Sequence, residues 1–268
     1  MNTPAQTSPF YWLVTGASSG IGEAMARELA SRGHSLILVA RTEAALKKLS
    51  AELEVKHRIT AQVLPADLGN ADAATQLEKA CRERGWVVDG LVNCAGLGYC
   101  GALTDLKPEG ETNVIQVNVT ALVAMTRQFL PAMIARKRGH ILNVASTGSF
   151  QPVPYFATYG ASKAFVRSFS RAVAYELKRT GVTITCSCPG PVATAFFAAN
   201  GMHVAEKARN TMMTARDVAR QAIGASLKGR DLVIHGRANA LLARISATLP
   251  ERLSTWVAGK IFERLLAP

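Results

Sequence analysis

Phe10 to Thr15 (FYWLVT) is a short, mostly apolar run that passes straight into Gly16-Ala-Ser18-Ser19-Gly20-Ile21-Gly22. A helical pattern then begins, with Ile21, Met25 and Leu29 apolar and Gly33 as its stop. A buried strand, a glycine-rich turn and a helix in immediate succession constrain the fold more than any other stretch. Glycines let the backbone approach a ligand closely, and a helix N-terminus offers unpaired N–H groups and roughly +0.5 charge. This is the context a phosphate-binding loop requires. The spacing is Gly-x-x-x-Gly-x-Gly, not the Gly-x-Gly-x-x-Gly of the common dinucleotide fingerprint. An ordinary glycine-rich βα turn is the competing reading.

The same alternation continues along the chain. Ser35 to Ala40 reads as a second strand, followed by a charged helix from Glu43 to Lys56. Arg41 follows the strand, with no acid at its end. An Asp or Glu there would select NAD through a ribose hydroxyl, whereas an Arg accommodates a 2′-phosphate, so the position favours NADP(H). Otherwise Arg41 merely opens a solvated turn. Ile59 to Pro65 is a third strand, and Ala71 to Arg84 a helix. Asp67 between them accepts from an adenine amino group while Leu68 covers the ring, or Asp67 caps the helix. Asp89 to Asn93 leads a fourth strand into Asn93-Cys-Ala95-Gly96, where small side chains suit a flat ligand or a plain tight turn. A long helix lies within Glu111 to Arg138. Asn118 sits among its apolar residues, where Asn is a poor helix former and needs partners. His140 to Ala145 and Val182 to Cys188 are the fifth and sixth strands. Thr214-Ala-Arg-Asp217 resembles a capping box opening a helix to Lys228, and Asp231 to His235 is the seventh strand. Strand–helix alternation of this kind predicts an α/β fold: a Rossmann-like, doubly wound, parallel seven-stranded sheet with helices on both faces.

Chemistry concentrates near Tyr159 and Lys163. They stand four apart at the start of a predicted helix, so they share a face. A free Tyr ionises near pH 10, and an adjacent cation is expected to lower that value toward general acid–base use. A surface pair on an amphipathic helix would look the same. Ser146 ends the fifth strand, where open α/β sheets place ligands, and its hydroxyl could hold a carbonyl.

Composition narrows the alternatives. The chain has 268 residues, 49% hydrophobic, enough for one large α/β domain with an ample core. Its five cysteines show no metal-ligand or disulfide spacing, which points to reduced thiols, an intracellular protein and no metal site. Met1 to Pro9 lacks a basic and apolar leader pattern, and no run approaches the roughly 18 apolar residues of a membrane span, so a cytoplasmic location is expected. The net charge of +12 fits an anionic ligand or surface, or solubility alone. No recognition motif supports nucleic-acid binding.

Together these residues resemble the single-domain short-chain dehydrogenase/reductase family, from about Leu13 to Gly236. The glycine motif matches Gly16, Gly20 and Gly22. The Asn-Ala-Gly turn matches Asn93, Ala95 and Gly96, with Cys94 where a second Asn is more usual. Asn118, Ser146, Tyr159 and Lys163 match the catalytic tetrad, and Pro189, Gly190 and Thr194 match the Pro-Gly segment. The resemblance implies that Tyr159 protonates a carbonyl oxygen held by Ser146 as hydride arrives from the nicotinamide. It implies that Lys163 grips the nicotinamide ribose and lowers the Tyr159 pKa, and that Asn118 anchors a proton-supplying water chain. Thr194 and the Val192 backbone would orient the carboxamide. Relatives pair through the helices that hold Asn118 and Tyr159 here, so a homodimer or homotetramer is the default.

Residues Ala195 to Met213 fall where the family has its variable substrate lid. Phe196, Phe197, Met202, Val204, Met212 and Met213, with Phe150, Val153 and Tyr155, suggest an apolar pocket for a lipid-like carbonyl compound, or simple lid packing. Similarity to hydroxysteroid and long-chain 3-oxoacyl reductases points the same way. Residues 1–236 form the expected catalytic domain and 237–268 an extension, which Pro250 divides into two basic amphipathic helices. Peripheral contact with anionic lipid, a partner-facing role, and packing on its own domain all fit that pattern. An NADPH-dependent carbonyl reductase is the leading function. An oxidising, NAD-linked alcohol or hydroxysteroid dehydrogenase and a non-catalytic NADP-binding scaffold are the rivals.

Overall fold

A strand buried on both faces needs apolar side chains at successive positions, because its period of two sends neighbours to opposite sides. The computed structural model describes residues 10–200, 202 and 212–266. In β1 (Phe10–Thr15), Tyr11 and Leu13 enter one core while Trp12 and Val14 enter another. The division repeats in β2 (Ser35–Val39), β4 (Val87–Asn93) and β5 (Gly139–Val144). There Ile37, Leu91 and Ile141 face the first core, and Leu38, Val92 and Leu142 the second. With β3 (Ala61–Val63), β6 (Val182–Cys188) and β7 (Leu232–Ile234), these strands form one parallel sheet in the order β3-β2-β1-β4-β5-β6-β7. The seven expected strands and the Rossmann-like winding are both present. β3 is shorter than its apolar run, and Pro65 lies beyond its end because proline offers no N–H to a ladder.

Helices cover both faces. α1 (Gly20–Ser31) and α2 (Glu43–His57) lie on the second core. α3 (Ala73–Glu83) lies on the first. The long helix expected within 111–138 begins earlier, at α4 (Pro108–Ile115), with Pro108 at its start. It passes through a π-helical turn, Gln116–Ala121, into α5 (Leu122–Ala135). Within this run, Pro108–Ala135, an 18-residue stretch has a mean hydropathy of 1.2, which makes the helix long and apolar enough to cross a membrane by length and composition only, and 44% of that stretch is buried in the domain. Its Val117, Met125, Phe129 and Met133 are core residues against the sheet. α6 (Ala157–Glu176) follows a short 3-10 turn, Thr147–Phe150. A four-residue helix, α7 (Phe196–Ala199), precedes residues 203–211, and the lid residue Val204 falls outside the described residues. Thr214 caps α8 (Ala215–Leu227) by accepting from the Asp217 N–H at 3.1 Å, as the capping-box pattern predicts. The last segment forms α9 (Arg237–Thr248) and α10 (Glu251–Leu266), divided at Pro250.

β2 and β3 lie to one side of β1, and β4 to β7 to the other. Loops leaving the carboxyl ends of β1 and β4 therefore turn apart and open a crevice between them. A cleft of about 540 Å³ occupies that place.

Candidate active site

One half of the cleft is built from backbone. The loop after β1 must fold back sharply, since a side chain at Gly22 would collide with the carbonyl of Gly16. Thr15 ties this loop to its neighbour strand. Its hydroxyl donates to Val92 O (3.1 Å) and accepts from the N–H groups of Cys94 (3.0 Å) and Ala95 (3.1 Å). Ser19 occupies the cap position of α1 without making a side-chain cap bond, so the first-turn N–H groups at Gly20 to Gly22 stay open toward the cleft. Ser18 and Ile21 line the same wall. Exposed Arg41 stands where β2 ends, and buried Leu68 and exposed Asp67 where β3 ends. Asp67 does not cap α3. One of its oxygens accepts from Gly69 N–H at 2.9 Å within its own turn. Ala95 and Gly96 lie after β4, and Pro189, Gly190, Val192 and Thr194 after β6.

Asn93 belongs elsewhere. Its side chain is buried and donates to Thr126 Oγ1 (3.2 Å) and Asn143 Oδ1 (2.9 Å), and Asn143 continues to Ser170. It ties β4 and β5 to the helices behind them and does not reach the cleft, because the strand's alternation turns it into the core.

The other half gathers the side chains that carry chemistry. Ser146 follows β5 and accepts from Gly148 N–H at 3.1 Å, and its own O–H lies beside the Tyr159 hydroxyl as a donor. Tyr159 and Lys163 face the cleft from adjacent turns of α6. Lys163 is 5% exposed and donates to Val144 O at 2.9 Å. Its Nζ lies 5.6 Å from the centroid of the Tyr159 ring. Burial pushes the Lys163 ammonium down to about 8. Burial also pushes the Tyr159 phenol up to about 12, against the opposing effect of a hydrogen bond with Ser146. The expected lowering of Tyr159 by Lys163 is therefore overturned in the chain by itself. Desolvation penalises both charged forms and is the largest effect on each.

Asn118 stands behind the cleft, 1% exposed, in the π-helical turn. Its amide accepts from Leu97 N–H (2.8 Å) and donates to Leu97 O (2.9 Å) and Ser162 Oγ (3.0 Å). One lone pair of Oδ1 is left. A side chain at Gly96 would meet both this oxygen and Lys163 Nζ at 3.3 Å, so the two atoms flank the same glycine.

Beyond Tyr159 the cleft is apolar. Val153, Phe196, Phe197 and Met202 line it as the sequence suggests. Phe150 and Tyr155 do not. The 3-10 turn carries the Phe150 ring into a separate cluster with Val166 and Cys188, under the Arg167 guanidinium at 4.1 Å. Tyr155 adopts a left-handed backbone (φ 62°) that sends its hydroxyl to Glu263 of α10 at 3.5 Å. Several lining residues were not assigned to the site from sequence, four of them with side chains that bear on its chemistry. Phe156 stacks on Tyr159 (centroids 4.2 Å), and Phe262 of α10 rests 5.9 Å from Phe156. Cys94 borders Lys163, and Gln151 presents a buried Oε1 without a hydrogen-bond partner. The spacing of Phe156 three before Tyr159 was a usable signal. Nothing local marks Phe262, which is 103 residues further along the chain.

These features fit a nicotinamide dinucleotide: uncapped helix amides and a backbone cradle at one end, Arg41 beyond the second strand, and a buried ammonium at the other. Comparison with known proteins agrees. Residues 11–204 match the family described as short chain dehydrogenase. The chain is 37% identical over 186 residues to very-long-chain 3-oxoacyl-CoA reductase-B of Danio rerio, covering 68% of this chain and 59% of that protein. A short-chain dehydrogenase from Sphingobium yanoikuyae in complex with NADPH superposes with a TM-score of 0.78 at 28% identity, covering 91% of this chain and 97% of that one. A 7β-hydroxysteroid dehydrogenase superposes with a TM-score of 0.84 at 25% identity, covering 93% and 96%. By fold, motif order and sequence match alike, the chain belongs to the short-chain dehydrogenase/reductase family.

Proposed function

We propose that this chain is an NADPH-dependent reductase of ketones or aldehydes on apolar, lipid-like compounds. The observation that carries the reading is the placement of Tyr159. Its ring meets Phe156 and Phe196, with centroids 4.2 and 5.6 Å away, Lys163 Nζ lies 5.6 Å from its centroid, and Ser146 stands close enough to its hydroxyl to favour the phenolate. A proton donor thus stands where the polar half of the cleft gives way to the apolar half.

The bound dinucleotide supplies hydride. The loop Gly16–Gly22 would hold its pyrophosphate, Asp67 and Leu68 its adenine, and Arg41 a 2′-phosphate. Val192 and Thr194 would orient the nicotinamide end. Ser146 holds the substrate oxygen through its O–H. Tyr159 gives that oxygen a proton as negative charge develops on it. General acid catalysis of this kind is worth about 10²–10⁴ in rate. Lys163, once a ribose and a developing phenolate stand beside it, gains the partners its buried ammonium lacks in the chain alone. The spare lone pair of Asn118, across Gly96 from Lys163, supports a role in resupplying the proton. The match to a 3-oxoacyl-CoA reductase favours a long-chain substrate.

Tyr159→Phe should reduce turnover of a ketone panel by at least about 100-fold while NADPH binding stays intact. Activity that survives this change sinks the mechanism. KM should be lower for NADPH than for NADH, and Arg41→Asp should reverse that order. Equal preference in the unmodified chain would remove the assignment of Arg41.

A further inference from the structure

Sixteen large apolar residues stand exposed among the described residues, and eight of them lie in α9, α10 and the link between them. Leu241, Leu242 and Ile245 run along α9, Leu249 follows its end, and Leu253, Trp256, Val257 and Ile261 run along α10. Trp256 is 62% exposed and Leu242 61%. The opposite faces are already seated on the domain: Ala243, Ser254 and Ala258 are buried, and Gly259 backs onto Pro154. The exposed stripe is therefore an outer surface, larger than scattered apolar residues on a soluble face. Exposed Arg237, Arg244 and Arg252 are set among it. A second copy docked on this face would bring arginines against arginines on chains that each carry +12. An anionic lipid surface complements both the charge and the apolar stripe.

We propose that α9 and α10 form an interfacial element that seats the chain on an anionic lipid bilayer, with the leucines and Trp256 among the acyl chains and the arginines at the headgroups. The inner face of α10 continues into the cleft. Phe262 lines it and lies against Phe156, which stacks on Tyr159. One helix thus has the bilayer on one side and the substrate end of the cleft on the other, so an apolar carbonyl compound reaches Tyr159 from the lipid. This last clause rests on the reductase reading.

The full chain is sedimented with vesicles of equimolar phosphatidylglycerol and phosphatidylcholine, and with phosphatidylcholine vesicles. Binding is expected to the first and much less to the second, and to weaken as salt is raised. Arg244→Gln with Arg252→Gln should lower the partition coefficient about 20- to 30-fold, at about fivefold per basic residue. Leu242→Glu with Trp256→Glu should abolish binding, and the lipid-induced blue shift of tryptophan emission should vanish with Trp256. Equal binding to both vesicles, unaltered binding of both double variants, or a dimer that Leu242→Glu dissociates would each overturn the proposal. Sedimentation needs no turnover, so it decides docking even if the chain reduces nothing. Entry from lipid is decided separately. The Leu242→Glu, Trp256→Glu chain should reduce a water-soluble ketone at the unmodified rate but a vesicle-borne long-chain ketone more slowly. Equal rates on the vesicle-borne ketone would overturn that clause alone.

Discussion

Lys163 donates to Val144 O from a 5% exposed position, and burial holds its ammonium near 8, against 10.5 ordinarily. At about 1.36 kcal/mol per unit, that is a cost of about 3 kcal/mol at neutral pH in the chain without cofactor. Because the folded value lies below the unfolded one, the unfolded chain holds the extra proton between pH 8 and 10.5. Stability therefore rises with pH across that window. Lys163→Met should stabilise the cofactor-free chain by about 2–3 kcal/mol at pH 7 in denaturant titrations, and the gain should shrink as pH climbs from 8. A gain independent of pH would mean that packing, not charge, is the cause. Gln151 poses a different demand. Its buried Oε1 has no partner in the cleft, and an orphaned buried acceptor costs about 1–3 kcal/mol until a donor reaches it. Gln151→Leu should raise KM for ketones carrying a hydroxyl or amide N–H near the carbonyl, with KM for simple alkyl ketones unchanged or lower. Tyr159 and Lys163 were legible from sequence as a pair. The direction of their pKa values was not, because desolvation depends on what closes over them.

At the scale of elements, the π-helical turn Gln116–Ala121 does what the long helix could not do with a regular register. One extra residue in the turn lets a poor helix former sit at a buried position with its amide aimed out of the helix, at Leu97 and Ser162. Asn118→Leu would leave both backbone groups of Leu97 without that partner. It should destabilise the fold by about 2–4 kcal/mol and loosen the loop after β4 that borders the cleft. Hydrogen exchange confined to the loop's amides checks this, and protection unchanged at Leu97 would contradict it. The existence of the helix and the oddity of Asn118 were visible in the sequence. The π turn was not, since it depends on what Asn118 must reach across the fold. The same contrast separates Phe196 and Val153, placed correctly at the cleft, from Phe150 and Tyr155, which a 3-10 turn and a left-handed residue redirect.

Across the whole molecule, folding has buried one imidazole, His235, and half-buried two others, His34 and His140. His235 sits between Ser187 Oγ (2.8 Å) and Gln221 Oε1 (3.2 Å), and burial pushes it down to about 4. Burial also lowers His34 and His140, both in ring contact with Trp12. Each depressed value means stability that is present above the unfolded pKa and is lost as pH falls from about 6.5 toward the folded value. For His235 alone the loss is about 3 kcal/mol by pH 4. Thermal unfolding should show it, and His235→Asn should flatten the acid limb. An acid limb unchanged by that substitution would place the loss elsewhere. The architecture that buries these groups follows from local pattern: apolar runs of strand length, turn residues between them, and helical periodicity in alternation. Sequence alone therefore determined the parallel sheet, its seven strands, the glycine loop and the order of the motifs, because each depends on residues within one turn or one strand of each other. Only the tertiary structure decided that Asn93 braces the core, that burial lowers the Lys163 value and raises that of Tyr159, and that a helix near the end of the chain walls the cleft. Those outcomes depend on burial and on contacts between residues far apart in sequence, which no local spacing encodes.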